Sequence, residues 1–209
     1  MTYAILQQGV SRSFPEGDAF LAKAAHAGGA SVLICIGAPP PDRHAHAAIA
    51  IELDRDCLAD HVGFDAPPAN VFGFSRYRNG SDTPSGLVEL VRLPHSDPKA
   101  LQAVREVFEG AGLAVSVCND HAGRIIDRLV RPKYNAALRL LDEGLATQAD
   151  MDLTCRLGLG YPDGPIERVM RGGLAEHFAV TSALFETFGT SAYAPARQAV
   201  IAARREKAK

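Results

Sequence analysis

An α/β domain followed by an all-helical domain is the fold class this 209-residue sequence predicts. Three observations predict it. Short apolar runs alternate with helical patterns up to about residue 119. Residues 86–118 read as a strand, a helix and a strand in succession. Beyond Asn119 every periodic segment is helical. The division therefore falls into domains 1–119 and 120–209.

The elements follow in order. Residues 3–7 form a short apolar strand. Residues 17–26 read as a helix with Phe20, Leu21 and Ala24 on one face. Residues 30–36 (A-S-V-L-I-C-I) are a continuous apolar run, the mark of a strand buried on both faces. The three prolines that follow Gly37 and Ala38 end it, because proline cannot continue a ladder. Residues 47–53 and 71–74 are further strands. Residues 86–93 (G-L-V-E-L-V-R-L) alternate like a strand. Asp97 then caps a helix with Pro98 at its first position, where the missing N–H costs nothing. Leu101, Val104, Val107, Phe108 and Ala111 make its apolar stripe, Gly110 and Gly112 end it, and residues 113–118 follow as a strand. Such a β-α-β unit implies parallel strands and a right-handed crossover. Next comes a helix over 124–142, with Pro132 expected to kink it. Thr147 and Asp150 form a capping box for the next helix, which stops at Gly158. Pro165 opens another, residues 173–188 make a further one closed by Gly189, and 196–206 the last.

Hydrophobic content of 47%, charge of 22% and a net charge of −2 describe an ordinary globular chain. No electrostatic argument favours nucleic acid or an anionic membrane. The basic tail Arg204, Arg205, Lys207 and Lys209 reads as a solvated helix end. Cys35, Cys57, Cys118 and Cys155 form no C-x-x-C pair and suggest reduced thiols, hence a cytoplasmic protein. No segment resembles a signal peptide or a membrane span. His26, His44, His46, His61, His95 and His177 show no triad or metal spacing. His121, in the turn before the long helix, reads as a surface-loop histidine, with a relocated base as the alternative. A dinucleotide fold carries G-x-G-x-x-G between its first strand and helix, so that backbone amides meet the pyrophosphate at a helix N-terminus. That motif is absent; Gly28, Gly29 and Gly37 lack the spacing.

From residue 120 the chain reads D-H-A-G-R-I-I-D-R-L-V-R-P-K-Y-N-A-A-L-R-L-L-D-E-G-L-A-T-Q-A-D-M-D, then G-L-G-Y-P-D-G-P, G-G-L and Y-A-P. This resembles the C-terminal helical domain of the 3-hydroxyacyl-CoA dehydrogenases, in which an Asp-x-x-Gly turn opens the first helix and a Gly-x-Gly-x-Pro-x-Gly-Pro loop interrupts the domain. The resemblance runs from about Leu87 to Arg205. It implies an α/β reduced Rossmann-like domain followed by an all-α 3-hydroxyacyl-CoA dehydrogenase C-terminal domain, with the missing residues taken from the NAD-binding half. It resembles the shortened second module that some bacterial members carry after a full one.

The resemblance also implies site positions. The family's G-x-H, which presents the catalytic histidine, matches Gly73-Phe74-Ser75, so Ser75 takes the base's place. An unactivated hydroxyl accepts no proton near neutral pH, and a roughly 10²–10⁴-fold contribution is lost with it. The glutamate that orients the histidine, in L-V-E-V, matches Glu89. It survives without its partner, as a site carboxylate or as one facing water or an arginine. The asparagine of G-F-x-x-N-R is replaced by Asp127, a carboxylate that would repel a developing alkoxide, and Arg124 replaces an apolar residue in the same turn. A loop asparagine of the family corresponds to Asn79. No cofactor-binding residue is assigned; NAD enters only if the family's oxidation of a 3-hydroxyacyl-CoA persists. Two functional expectations stand: a catalytically impaired dimer that binds an acyl-CoA or a full-length dehydrogenase, or an active NAD-dependent oxidoreductase with altered catalytic residues. The helical domain, the family's dimer interface, implies a homodimer.

Overall fold

The computed structural model describes residues 2–24, 30–37 and 45–208. The chain forms two compact units: Met1–Arg78 with Pro84–Arg124, and Asn79–Thr83 with Ile125–Lys209.

The first unit is a six-stranded sheet made of β1 (Tyr3–Gln7), β2 (Val32–Ile36), β3 (Ala48–Glu52), β4 (Val71–Arg76), β5 (Leu87–Arg92) and β6 (Ala114–Asn119). The strands lie side by side in sequence order. All pairs are parallel except β4–β5, which is antiparallel. Every position of β2 is buried, because both faces of the sheet are covered and an unbroken apolar run suits a two-faced core. On one face Val32, Ile34, Ala50, Phe72, Phe74 and Leu90 meet Phe20 of α1 (Ala19–Ala22) and Val104 and Phe108 of α3 (Pro98–Gly110). On the other Leu33, Ile49, Ile51, Val71 and Val91 meet α2 (Leu58–Val62).

Several expectations shift here. The helix expected over 17–26 is the single turn α1, because Gly17 has φ +82° and Asp18 is the cap that starts it. The residues expected to extend it beyond Ala24, with Gly28, Gly29 and His26, lie outside the described residues, as do the three prolines after Ala38 and His44. Helix α2 was not foreseen. Its cap position is Cys57, whose N–H donates to the Asp60 carboxylate, and the Asp120 carboxylate accepts the N–H groups of Leu58 and Ala59 at 2.8 and 2.9 Å. That second cap comes from 62 residues further along the chain, so no local pattern announces it. For α3 the expected Asp97 cap and first-turn Pro98 are both present, and β5 and β6 pair in parallel as the β-α-β reading required.

The second unit comprises α4 (Ile126–Asp142), α5 (Gln148–Leu159), α6 (Pro165–Gly172), α7 (Leu174–Phe188) and α8 (Arg197–Lys207). Tyr134, Leu138, Ile166, Val169 and Ala196 form its core. Helix α4 runs through Pro132 as one element. Thr147 caps α5 by accepting the Asp150 N–H, and its hydroxyl donates to the Asp150 carboxylate at 2.6 Å. Helix α5 passes Gly158 and ends at Gly160 instead, since only Gly160 takes the left-handed conformation (φ +70°) that closes a helix. The Asp152 carboxylate then accepts the N–H groups of Ile166 and Glu167 at 2.9 and 3.0 Å, which caps α6. A Cβ on Gly164 would sit 2.2 Å from Asp152, so the loop glycine there is a packing requirement. Among the described residues no helix is long and apolar enough to cross a membrane.

Candidate functional site

In the sheet unit the antiparallel register places Ser75 directly opposite Glu89. Gly73, two residues earlier on β4, leaves room for Leu53 and Val91: a Cβ there would lie 2.3 Å from Leu53 Cδ1 and 3.2 Å from Val91 Cβ. Alternation puts Gly73, Ser75, Glu89 and Val91 on the α2 face of the sheet. Ser75 is half-buried. Glu89 is 4% exposed.

Arg124 reaches that carboxylate. It is 7% exposed, and its Nε lies 3.8 Å from Glu89 Oε2. Its Nη2 donates to the Asp54 carbonyl at 2.7 Å. Nε and Nη1 find no hydrogen-bond acceptor among the described residues. The backbone is also constrained, because Arg124 has φ +47°, the only non-glycine residue described with a positive value. Burial and then the Glu89 carboxylate push the Cys118 thiol up to about 11, so it stays a thiol at neutral pH. The Arg124 guanidinium, on the α2 face, is a charged partner of Glu89.

Asp127 belongs to the helical unit and is paired there. Its carboxylate accepts from Arg131 Nε at 2.8 Å, one helical turn on. Arg131 Nη1 in turn lies 3.3 Å from His177 Nδ1. A guanidinium can only donate, so Nδ1 is the acceptor and the Nε2 proton goes to Asn135 Oδ1 at 2.9 Å. Asn135 donates to Thr181 Oγ1 at 2.8 Å and to the Ala192 carbonyl at 3.0 Å. Burial first, then Arg131, hold the His177 pKa down to about 3, so the ring is neutral. Sequence reasoning treated Asp127 as an unfavourable group beside a reacting carbonyl and His177 as chemically silent. The structure makes them the two ends of one buried network. Its signal in the sequence is faint: Asp127, Arg131 and Asn135 recur at i, i+4, i+8 on a single helix face.

Asn79 is buried, and its side chain donates to the Arg168 carbonyl at 3.0 Å. His121 and His95 are exposed. His61 Nε2 pairs with Asp56 and His46 Nδ1 lies 3.1 Å from the Ala30 carbonyl. No group of three or more His, Cys, Asp or Glu with metal-binding arrangement exists among the described residues.

The loop after β1 crosses the carboxyl ends of the sheet. Ser11 Oγ donates to Glu52 Oε1 at 2.8 Å, and the Ser13 N–H donates to the same oxygen at 2.7 Å. The Arg76 N–H donates to Ser13 Oγ at 3.1 Å. Glu52 and Arg76 are the last residues of β3 and β4, so residues 9–18 run from the end of β1 past the end of β3 to that of β4.

Comparison with known proteins completes the picture. The family described as "3-hydroxyacyl-CoA dehydrogenase, C-terminal domain" matches residues 123–209. The mitochondrial hydroxyacyl-coenzyme A dehydrogenase of Sus scrofa is 36% identical over 88 residues, 42% of this chain and 28% of that protein. The 3-hydroxybutyryl-CoA dehydrogenase of Bradyrhizobium diazoefficiens is 31% identical over 109 residues, 52% of this chain and 37% of that protein. The chain thus matches less than half the length of these relatives. The crystal structure of (S)-3-hydroxybutyryl-CoA dehydrogenase PaaH1 from Ralstonia eutropha is similar at a TM-score of 0.73 and 19% identity, over 88% of this chain and 69% of that one. That of M. tuberculosis FadB2 gives 0.70 and 22%, over 87% and 67%. These structural likenesses show a Rossmann-like sheet followed by a helical domain. Residues 123–209 match the C-terminal domain of the 3-hydroxyacyl-CoA dehydrogenase family, and that helical unit is the part of the chain the family match covers.

Proposed function

We propose that this chain is a catalytically impaired 3-hydroxyacyl-CoA dehydrogenase-like protein of acyl-CoA metabolism that acts in the cytoplasm as a dimeric module binding an acyl-CoA or a partner dehydrogenase. One observation carries the reading: Glu89 faces a serine across the strand pair and is held by the buried Arg124 guanidinium. The residue opposite Glu89 is a serine with no imidazole to orient, and an unactivated hydroxyl supplies no base near neutral pH.

The dimer is supported by the helical unit. An apolar groove of about 390 Å³, lined by Ala137, Leu140, Leu145, Met151, Cys155 and Leu159, opens on its surface. Leu153 and Leu157 of α5 project as exposed apolar side chains on the same helix that supplies Met151 and Cys155 to the groove, Leu157 at 80% exposure. A surface that offers both knob and hole is what a two-fold contact uses. The competing reading, an active NAD-dependent 3-hydroxyacyl-CoA oxidoreductase with altered catalytic residues, draws on the retained, buried Glu89.

NADH consumption with acetoacetyl-CoA, measured for the native chain and for Glu89→Gln, separates the two. No turnover at high protein concentration is the expected result. Turnover that vanishes in Glu89→Gln would overturn the proposal and make Glu89 a working site residue.

A further inference from the structure

In open α/β sheets, ligands bind at the carboxyl ends of the strands, in the crevice where the strand order reverses. This sheet has no reversal among its described strands: β1 is an edge and the order runs in sequence to β6. The turn after β1, which in a dinucleotide fold is glycine-lined so that the backbone approaches the pyrophosphate, is filled here with side chains. Ser13 is 1% exposed, and Ser11 and Phe14 are equally buried. Phe14 stacks on Phe20 at 4.2 Å between ring centroids and leans against Phe74 and Phe108.

The anion position is also taken. Asp18 Oδ1 accepts the Phe20 N–H at 2.9 Å at the start of α1. Asp18 Oδ2 accepts from Arg76 Nη1 at 3.1 Å. Arg76 further donates to the carbonyls of Ser13 and Ser85 and lies over the Phe14 ring. The side chain is mostly buried, 11% exposed against 21% for Asp18. A pyrophosphate brought to the same turn would meet a carboxylate where it needs free N–H groups, and like charges repel.

We infer that residues 9–18 form a self-filled strap over the carboxyl edge of the sheet, clasped by Arg76, and that the nicotinamide dinucleotide implied by the family does not bind there. The strap pre-empts the site by supplying its own carboxylate and aromatic ring. This goes beyond the proposed function, which rests on Glu89 and is decided by turnover.

Two measurements on the full chain test it. The first is NADH fluorescence titration; no saturable binding is expected up to about 1 mM. Saturable binding below that, with altered amide exchange in residues 9–18, would overturn the inference whatever the turnover assay gives. The second is limited trypsin digestion. The Arg12–Ser13 bond should resist cleavage while the exposed bonds after Arg204 and Arg205 are cut. In Arg76→Met, cleavage at Arg12–Ser13 should rise roughly tenfold or more, because local opening then loses its charge-assisted hydrogen bonds. If that variant does not fold, the Ser11→Ala, Ser13→Ala double variant loosens the same strap by removing the Ser11 Oγ bond to Glu52 and the Ser13 Oγ bond to the Arg76 N–H. Cleavage of native Arg12–Ser13 as fast as the tail, or no acceleration in a folded variant, would remove the strap and its clasp.

Discussion

The Glu89–Arg124 pair makes a double-substitution experiment decisive. Both side chains are 5% exposed and their charged atoms are 3.8 Å apart. At an effective dielectric constant of about 20 the attraction at that distance is about 4 kcal/mol. The cost of burying both charges offsets much of it, so the pair adds little net stability. Removing one partner is different, since the other is left buried and unpaired at about 3–5 kcal/mol. Arg124→Met should lie at the lower end: the guanidinium already leaves two nitrogens, Nε and Nη1, without a hydrogen bond, and their loss costs nothing. Glu89→Met strands the arginine and should cost about as much. The double variant should cost roughly 1–2 kcal/mol, less than either single change, because an apolar pair of similar volume replaces an ionic one. Arg124→Gly supplies a control: it removes the charge but relieves the φ +47° backbone by about 1 kcal/mol, so it should be milder than Arg124→Met. Urea unfolding by circular dichroism gives the free energies, and amide exchange in β4 and β5 assigns the loss to the sheet unit. Additive single and double effects would refute the reasoning, because the two side chains would then not be each other's partners.

Other outcomes follow from the helical unit and the sheet. His177 has a pKa depressed to about 3, against 6.5 in the unfolded chain. Its folded state therefore binds fewer protons than the unfolded one, so stability is full above about pH 6.5 and falls as pH drops toward 3. Urea midpoints measured from pH 7.5 to 4 should show that fall, and His177→Gln should flatten it. Asp152→Ala removes the cap on two N–H groups of α6 and should cost about 1–2 kcal/mol in thermal or urea unfolding. Gly73→Ala forces a Cβ onto Leu53 and Val91 and should cost about 1–3 kcal/mol in the same assay. Leu157→Glu on the exposed α5 face should leave unfolding within about 0.5 kcal/mol of native while converting the proposed dimer to monomer in sedimentation. An unchanged dimer would place the contact elsewhere.

Which parts were legible in the sequence follows from how local their causes are. The strand runs, the Asp97–Pro98 start of α3 and the Thr147 cap of α5 are decided by residues within one turn of each other, and each is present. Where the cause lies elsewhere in the chain, the reading slipped. Helix α2 needs the Asp120 carboxylate from the end of β6. The end of α5 depended on which of two nearby glycines takes positive φ, and Gly160 does so. That Glu89 lies on a strand was legible from L-V-E-L, and an arginine beside it was one of the options the sequence left open. That the arginine is Arg124 required the turn to fold back beside β5.

Ser75, Asp127 and Arg124 looked like unrelated departures from a catalytic pattern. The structure regroups them. Arg124 and Glu89 form one pair, and Asp127 belongs with Arg131 and, through it, with His177 and Asn135. A buried cation cannot persist without a counter-charge, so Arg124 is tied to the retention of Glu89, and Asp127 to Arg131. Retained acidity at Glu89 is therefore weak evidence for retained catalysis, because ion pairing alone preserves it. The same logic says which reversion would speak to function. Ser75→His alone would bring an imidazole beside a carboxylate already held by a guanidinium. Ser75→His combined with Arg124→Phe would remove the guanidinium from beside the imidazole and Glu89. If acetoacetyl-CoA-dependent NADH consumption stays absent even then, the filled strap, and not the altered base, is what silences the chain.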